Sequence, residues 1–157
     1  MNTEVSKRKP TTTAEKIAEP CHTLDRKTLD DLSTAMHGEA FAYAKYLLYA
    51  ERARKSGNKD LADLFEKTAN TERFEHFAEE AELAGLVGSD ADNLRDAIQG
   101  ESYEIDIMYL EFAGQARAAG DTAAAARFEE IRHDEIGHRH AFKSALAKLA
   151  TSPAGNA

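Results

Sequence analysis

The sequence predicts an all-α protein that forms a four-helix bundle. Between about residues 23 and 150 the chain is rich in Ala, Leu, Glu, Lys and Arg, which are all good helix formers. No useful stretch alternates polar and apolar residues with a period of two, which argues against a β-sheet. Glycines and short polar stretches divide this region into four long segments, and each carries an apolar stripe at helical spacing.

Four helices are delimited by their start and stop signals. Gly57 and Gly120 can adopt the left-handed conformation that ends a helix, and Asn58 and Asp121 follow them as N-caps. A break around residues 85–90 separates the middle two helices. Because the two outer turns are short, each joins an antiparallel pair. The helices are expected at residues 25–56, 58–84, 92–119 and 121–150.

Composition excludes several classes of function. The formal charge of −8 disfavours nucleic acid and anionic membrane surfaces as partners. A single cysteine leaves no disulfide framework and no rubredoxin-type iron site within the 157 residues. No apolar run reaches the length of a membrane span, and the start lacks a signal-peptide core, so a cytoplasmic location is expected. Residues 1–22 and 151–157 are expected to be flexible tails around one domain at 23–150.

The two halves of the bundle form an internal repeat centred on Gly57 and Gly120. Chemically similar residues occur at the same offsets from these two glycines. The matching pairs are Tyr46 and Tyr109, Phe65 and Phe128, Glu72 and Glu135, and Glu75 and His138. A Gly-Glu pair also opens each half, at Gly38-Glu39 and Gly100-Glu101. Gly100-Glu101 lies one residue further from Gly120 than Gly38-Glu39 lies from Gly57, which predicts a π-bulge in the first or the third helix.

Carboxylates lie in the middle of all four apolar stripes. Unpaired carboxylates are expensive to bury among Phe, Leu and Tyr, and the stripes contain no Lys or Arg to match them. A pair of divalent cations would supply the missing positive charge, and Glu135-x-x-His138 fits the ligand pattern of ferritin-like di-iron proteins. The alternative is a metal-free interaction bundle whose glutamates face solvent. The candidate ligands are Glu39, Glu72, Glu75, Glu101, Glu104, Glu135 and His138. In the stripes, His76 could take the place of Glu75, and Ile105 that of Glu104.

Taken in order, these motifs resemble the rubrerythrin family of the ferritin-like superfamily. The resemblance rests on Gly38-Glu39 with Tyr46, Phe65…Ala69-x-x-Glu72, Gly100-Glu101-x-x-Glu104 with Tyr109, and Phe128…Glu135-x-x-His138. It implies a ferritin-like four-helix bundle with two iron ions that reduces hydrogen peroxide, manganese being the other metal suited to such ligands. Glu39, Glu72, Glu101, Glu104, Glu135 and His138 match the family's iron ligands, and Tyr46 and Tyr109 match tyrosines beside the cluster.

The chain departs from the family pattern in two respects. In the second helix the family's Glu-x-x-His is replaced by Glu72-x-x-Glu75, with His76 one residue later. Glu75 keeps the spacing of a regular α-helix and is the first choice of ligand, while His76 would need a local adjustment of the helix. No rubredoxin domain is present, so a separate electron-donor protein is expected, as in sulerythrin and symerythrin, which also lack rubredoxin. The alternative activity is a ferroxidase that oxidises Fe(II) with dioxygen.

The short connection between the second and third helices predicts a dimer. A site shared by all four helices requires these two helices to run parallel, and the chain would have to return about 30 Å between them at ~1.5 Å per helical residue. Roughly seven residues reach at most about 25 Å. We therefore expect a homodimer in which the first two helices of one chain complete a bundle with the last two of the other.

Overall fold

The computed structural model describes residues 24–151, which form four helices, and the all-α prediction is confirmed. Helix α1 spans Arg26–Lys55, α2 residues 59–84, α3 residues 90–119 and α4 Thr122–Thr151. These ends lie within two residues of the expected ones. The predicted tails lie outside the described residues, except that α4 includes Thr151. None of the helices in the described range is sufficiently long and apolar to cross a membrane.

The helix ends follow the signals in the sequence. Gly57 and Gly120 have φ angles of 79° and 86°, the left-handed region that glycine adopts without strain. The side chain of Asn58 accepts a hydrogen bond from the backbone N–H of Leu61 at 3.2 Å, which caps the start of α2. Helix α3 begins two residues earlier than expected because Ser89 is its N-cap.

Two of the helices contain a π-turn, which spreads one extra residue over a turn. In α3 it spans Glu104–Met108, in one of the two helices where the unequal Gly-Glu spacing predicted it. In α2 it spans Glu72–His76, and the sequence analysis did not anticipate it. Both π-turns begin at a carboxylate that was a candidate ligand.

Each antiparallel helix pair packs in the same way as the other. Hairpin 1 comprises α1 and α2, and hairpin 2 comprises α3 and α4. Buried alanines line each interface, a cluster of three aromatic rings lies next to them, and an arginine–glutamate pair joins the helices near the turn. The buried alanines are Ala50, Ala53 and Ala62 in hairpin 1, and Ala113, Ala116 and Ala125 in hairpin 2. The aromatic clusters are Tyr46–Tyr49–Phe65 in hairpin 1 and Tyr109–Phe112–Phe128 in hairpin 2. The ion pairs are Arg54–Glu66 in hairpin 1 and Arg117–Glu129 in hairpin 2.

The two hairpins do not pack against each other within one chain. Over residues 24–151, no helix of hairpin 1 approaches a helix of hairpin 2 within 8 Å between Cα atoms. Large apolar side chains of both hairpins are exposed, among them Leu61 at 38%, Leu83 at 65% and Phe112 at 40%. Each hairpin therefore presents an unpaired apolar face.

Candidate metal centre

Two groups of carboxylates and imidazoles occupy matching places on the two hairpins. In hairpin 1 the group is Glu39, Glu72 and His76, and in hairpin 2 it is Glu101, Glu135 and His138. Each residue places one potential ligand atom within 4.8 Å of those of the other two. Every group draws one glutamate from the first helix of its hairpin and a glutamate with a histidine from the second.

Distances within the two groups agree closely. His76 Nδ1 lies 2.8 Å from Glu72 Oε2 and 3.9 Å from Glu39 Oε2. His138 Nδ1 lies 2.5 Å from Glu135 Oε2 and 4.0 Å from Glu101 Oε1. The four carboxylates are 14–27% exposed, whereas the imidazoles are more than half exposed. The rings therefore lie at the open edge of each hairpin, where further ligands could approach.

The π-turn in α2 explains why His76 joins the first group and Glu75 does not. In a regular α-helix the residue three after Glu72 returns to its face, which is the reason for choosing Glu75 from the spacing. A π-turn takes more residues per turn, so the residue four later reaches that angular position instead. Glu75 is exposed and lines a surface depression with Asp63 and Glu66 on the outer side of α2.

Glu104 and Tyr109 lie close to the hairpin 2 group, and Tyr46 occupies the position in hairpin 1 that matches Tyr109. Glu104 is half-buried, and its charge helps to raise the pKa of both Glu101 and Tyr109. Its carboxylate is therefore close enough to interact electrostatically with the hairpin 2 group. Burial is the larger cause of the raised pKa of Tyr109, which keeps the phenol protonated and able to donate a hydrogen bond. Tyr46 stacks near Phe65 with ring centroids 6.0 Å apart, as its counterpart Tyr109 does near Phe128.

The charge balance of both groups is negative. Burial raises the pKa of Glu39, and its hydrogen bond and charge repulsion with Glu72 raise it further. Burial and contact with Glu135 raise the pKa of Glu101 in the same way. The hydrogen bond to Glu135 raises the pKa of His138, because the carboxylate stabilises the imidazolium. A bound cation would relieve the part of the glutamate shifts that comes from repulsion between neighbouring carboxylates.

Two buried carboxylate oxygens have no hydrogen-bond partner in the described part of the chain, Glu101 Oε2 and Glu80 Oε2. An unpaired buried carboxylate oxygen carries a desolvation penalty that a bound cation or a donor from another chain would remove. Glu80 was not a candidate in the sequence analysis. Glu80 lies one helical turn beyond His76, and its charge helps to raise the pKa of Glu39. The sequence signal that could have identified Glu80 is its spacing of four residues from His76.

Together the donors suit a redox-active divalent metal. Carboxylate oxygens bind hard cations, and imidazole extends the preference to iron and related first-row metals. Among the described residues each group brings three potential ligand atoms together, and two such groups facing each other would surround a pair of ions. The donor chemistry and the unpaired oxygen of Glu101 therefore fit a di-metal centre.

Comparisons with known proteins show which family the chain is similar to. The family model described as Rubrerythrin matches residues 30–76 and 71–146. The chain is 35% identical to rubrerythrin of Porphyromonas gingivalis over 135 residues, covering 78% of this chain and 68% of that protein. It is 31% identical to nigerythrin of Nitratidesulfovibrio vulgaris, covering 75% of this chain and 65% of that protein. A solved structure of nigerythrin in its fully reduced, all-ferrous state aligns over 97% of this chain and 83% of its own, with 26% identity and a TM-score of 0.42. This chain belongs to the rubrerythrin family, whose helical fold is ferritin-like.

Proposed function

We propose that this protein is a non-haem di-iron peroxidase that reduces hydrogen peroxide to water. The observation that carries the proposal is the pair of matching Glu-Glu-His groups, one on each hairpin. Membership of the rubrerythrin family supports iron as the metal, and the all-ferrous nigerythrin structure is a related case. Manganese suits the same oxygen-rich ligands and is the other candidate.

Seven side chains would hold the two ions. They are the members of the two groups together with Glu104, whose carboxylate shares the field of the hairpin 2 group. Glu75 was the first choice from the sequence and His76 the alternative, and the position of Glu75 on the outer side of α2 supports His76 as the ligand instead. The ligand set we propose is Glu39, Glu72, His76, Glu101, Glu104, Glu135 and His138.

The centre would be completed by a second copy of the chain. Five residues, 85–89, connect α2 to α3, and they span at most about 21 Å. Folding hairpin 2 onto hairpin 1 of the same chain would require a return of roughly 35 Å, because Glu72 lies ~18 Å before the end of α2 and Glu101 ~17 Å after the start of α3. Exchange of hairpins between two chains avoids this return.

The exposed apolar faces support the same assembly. An apolar groove on hairpin 1 is lined by Met36, Ala40, Phe77 and Leu86. A second groove on hairpin 2 is lined by Leu94, Phe142 and Leu149, among others. Both faces would be covered if hairpin 1 of one protomer packed against hairpin 2 of its partner. Such a homodimer would contain two centres, each built from both chains.

Two ferrous ions would supply the two electrons that cleave the O–O bond of hydrogen peroxide. The reduction also consumes two protons for every peroxide converted to two waters. The site's carboxylates can accept and release protons, and Glu39 and Glu101 hold theirs more tightly than ordinary glutamates. The hydroxyl of Tyr109 stays protonated beside Glu104 and can donate a hydrogen bond to a ligand carboxylate. Tyr46 is proposed to do the same for hairpin 1.

Electrons would come from a donor outside these 157 residues. A four-cysteine iron site cannot form within these 157 residues, because they contain one cysteine. The imidazoles lie at the open edges of both hairpins and are more than half exposed. In the dimer the apolar faces of the hairpins would be covered by the partner and would not be accessible to a donor. The donor would therefore approach the assembled dimer from outside the bundle.

The experiment combines metal analysis with rapid kinetics on protein purified without air. About two irons per chain are expected, and peroxide should oxidise the di-ferrous protein much faster than dioxygen does. The double variant Glu101→Ala/Glu135→Ala should lose both the metal and the reaction, while Asp106→Asn, at an exposed aspartate outside the groups, is the matched control. Equal or faster oxidation by dioxygen would replace the peroxidase assignment with a ferroxidase. Absence of bound metal would leave only the metal-free interaction bundle.

A further inference from the structure

The π-turn of α3 leaves one backbone carbonyl without its helical donor. The N–H of Tyr109 donates to Glu104 O, five residues back, whereas an α-helix would direct it to Ile105 O. Ile105 is only 2% exposed, so water does not replace the lost donor easily. A buried carbonyl without a partner would destabilise the π-turn relative to a regular helix.

Arg132 of α4 supplies the missing donor. Its Nε donates to Ile105 O at 2.5 Å, across the interface between the two helices of hairpin 2. A hydrogen bond from a guanidinium to a carbonyl is charge-assisted, and it is stronger than the neutral bond that the carbonyl lost. A second link joins the same two helices, from Arg139 Nη1 to Asp106 Oδ2 at 3.0 Å, but it uses side chains only.

The internal repeat associates this arginine with the π-turn in the first helix of its hairpin. Arg132 lies 12 residues after Gly120, and the residue 12 after Gly57 is Ala69, which is fully buried. The helix opposite Ala69 is α1, which is α-helical along its whole length and leaves no carbonyl to be satisfied. Hairpin 2, whose first helix contains the π-turn, has the donor, and hairpin 1, whose first helix is a regular α-helix, has a small apolar residue.

The π-turn determines where Tyr109 lies relative to the carboxylates. Glu101 and Tyr109 are eight residues apart, whereas their counterparts Glu39 and Tyr46 are seven apart. Seven residues make about two turns of an α-helix, and an eighth would rotate the tyrosine by about 100° away from the glutamate. Because the π-turn absorbs the extra residue, Tyr109 faces the same side as Glu101.

We propose that Arg132 is a positioning residue that holds the α3 π-turn and thereby keeps Tyr109 over the hairpin 2 group. Arg132 touches none of the candidate ligands in its own hairpin; it acts through the carbonyl of Ile105. Its effect on the backbone is independent of the activity, whereas its effect on turnover rests on the proposed peroxidase function.

The first test is amide hydrogen exchange in the metal-free full chain. Arg132→Met should speed exchange of the amides at residues 105–110 by about tenfold or more, the effect of losing a hydrogen bond to a charged group. Arg132→Lys should restore part of the protection, since an ammonium can also donate to the carbonyl. Asp106→Asn removes the neighbouring link between the same helices and should leave these amides unchanged. Unchanged exchange in Arg132→Met overturns the proposal.

The second test asks whether the π-turn matters to the metal group. Cobalt(II) has a visible spectrum that depends on its ligands, so Arg132→Met should shift this spectrum while Asp106→Asn should not. With peroxide, Arg132→Met should lower kcat more than it changes KM, and Arg132→Lys should recover part of kcat. Faster exchange with an unaltered cobalt spectrum would show that Arg132 only stabilises the helix, and it would refute the positioning role. If wild-type protein shows no peroxide turnover, the exchange and cobalt measurements still decide this proposal.

Discussion

Hairpin exchange can be tested by mixing two variants, neither of which can form a complete centre alone. One variant carries Glu39→Ala with Glu72→Ala and lacks the hairpin 1 group, and the other carries Glu101→Ala with Glu135→Ala and lacks the hairpin 2 group. In a swapped dimer every centre combines hairpin 1 of one chain with hairpin 2 of the other. A mixed dimer would therefore contain one centre with no damage and one centre with both halves damaged.

The expected recovery follows from counting centres. Random association of equal amounts gives about half mixed dimers, and each has one intact centre of two, so about one quarter of the wild-type centres should return. Each variant alone should give none, because every centre in its homodimer contains one damaged half. A closed bundle within one chain would give none in the mixture either, since both halves of a centre would come from the same damaged chain.

The assay unfolds and refolds the two variants together and then adds metal. Native mass spectrometry measures the fraction of mixed dimers and the number of metal ions on each, and the two-metal spectroscopic signature counts intact centres. Mixing Glu39→Ala with Glu72→Ala is the matched control, because both changes damage the same half and no arrangement of hairpins restores it. Mixed dimers without a two-metal centre would refute the exchange.

Three further outcomes are expected. His76→Ala should weaken metal binding to the hairpin 1 group by more than about tenfold, as judged by cobalt titration, whereas Glu75→Ala should leave it unchanged. Metal affinity should fall as the pH falls. Because the pKa values of Glu101 and His138 are raised, protons compete with the metal at a higher pH than they would at an ordinary glutamate or histidine. Calorimetry in buffers of different ionisation enthalpy measures the protons released on metal binding. Ala62→Leu should destabilise the protein by about 1–3 kcal/mol in thermal unfolding, since this fully buried position in the α1–α2 interface has no room for a larger side chain.

The helix boundaries could be predicted because they depend on local signals. Gly57 and Gly120 adopt the positive φ that the sequence indicated, and Asn58 caps α2 with its own side chain. The extra residue between Gly100-Glu101 and Gly120 indicated a π-turn in the first or the third helix, and the structure has it in α3. Each of these features is fixed within a few residues along the chain, where spacing carries the information.

The ligand in α2 could not be chosen from spacing because two residues of ligand type are adjacent. Glu75 fits a regular helix and His76 fits a helix with one extra residue, and both are plausible metal ligands. The repeat contained the decisive comparison: His138 lies three residues after Glu135, and placing His76 in the same role requires one inserted residue in α2. The π-turn at Glu72–His76 is the form that this insertion takes. Glu80 was missed for the same reason, because its face depends on the helix register beyond the π-turn.

Dividing one centre between two hairpins links metal binding, assembly and stability. Glu39 and Glu101 each carry a pKa raised by burial and by a neighbouring glutamate, so in the metal-free groups the charged state that metal needs is less favourable than at ordinary glutamates. Ions bound between opposed hairpins would remove this repulsion only in the assembled state. Since a ligand stabilises the state that binds it, metal should raise both the melting temperature and the affinity between protomers. The apolar faces alone would then hold a weaker dimer, and loss of metal would loosen the same interface that the ions tighten.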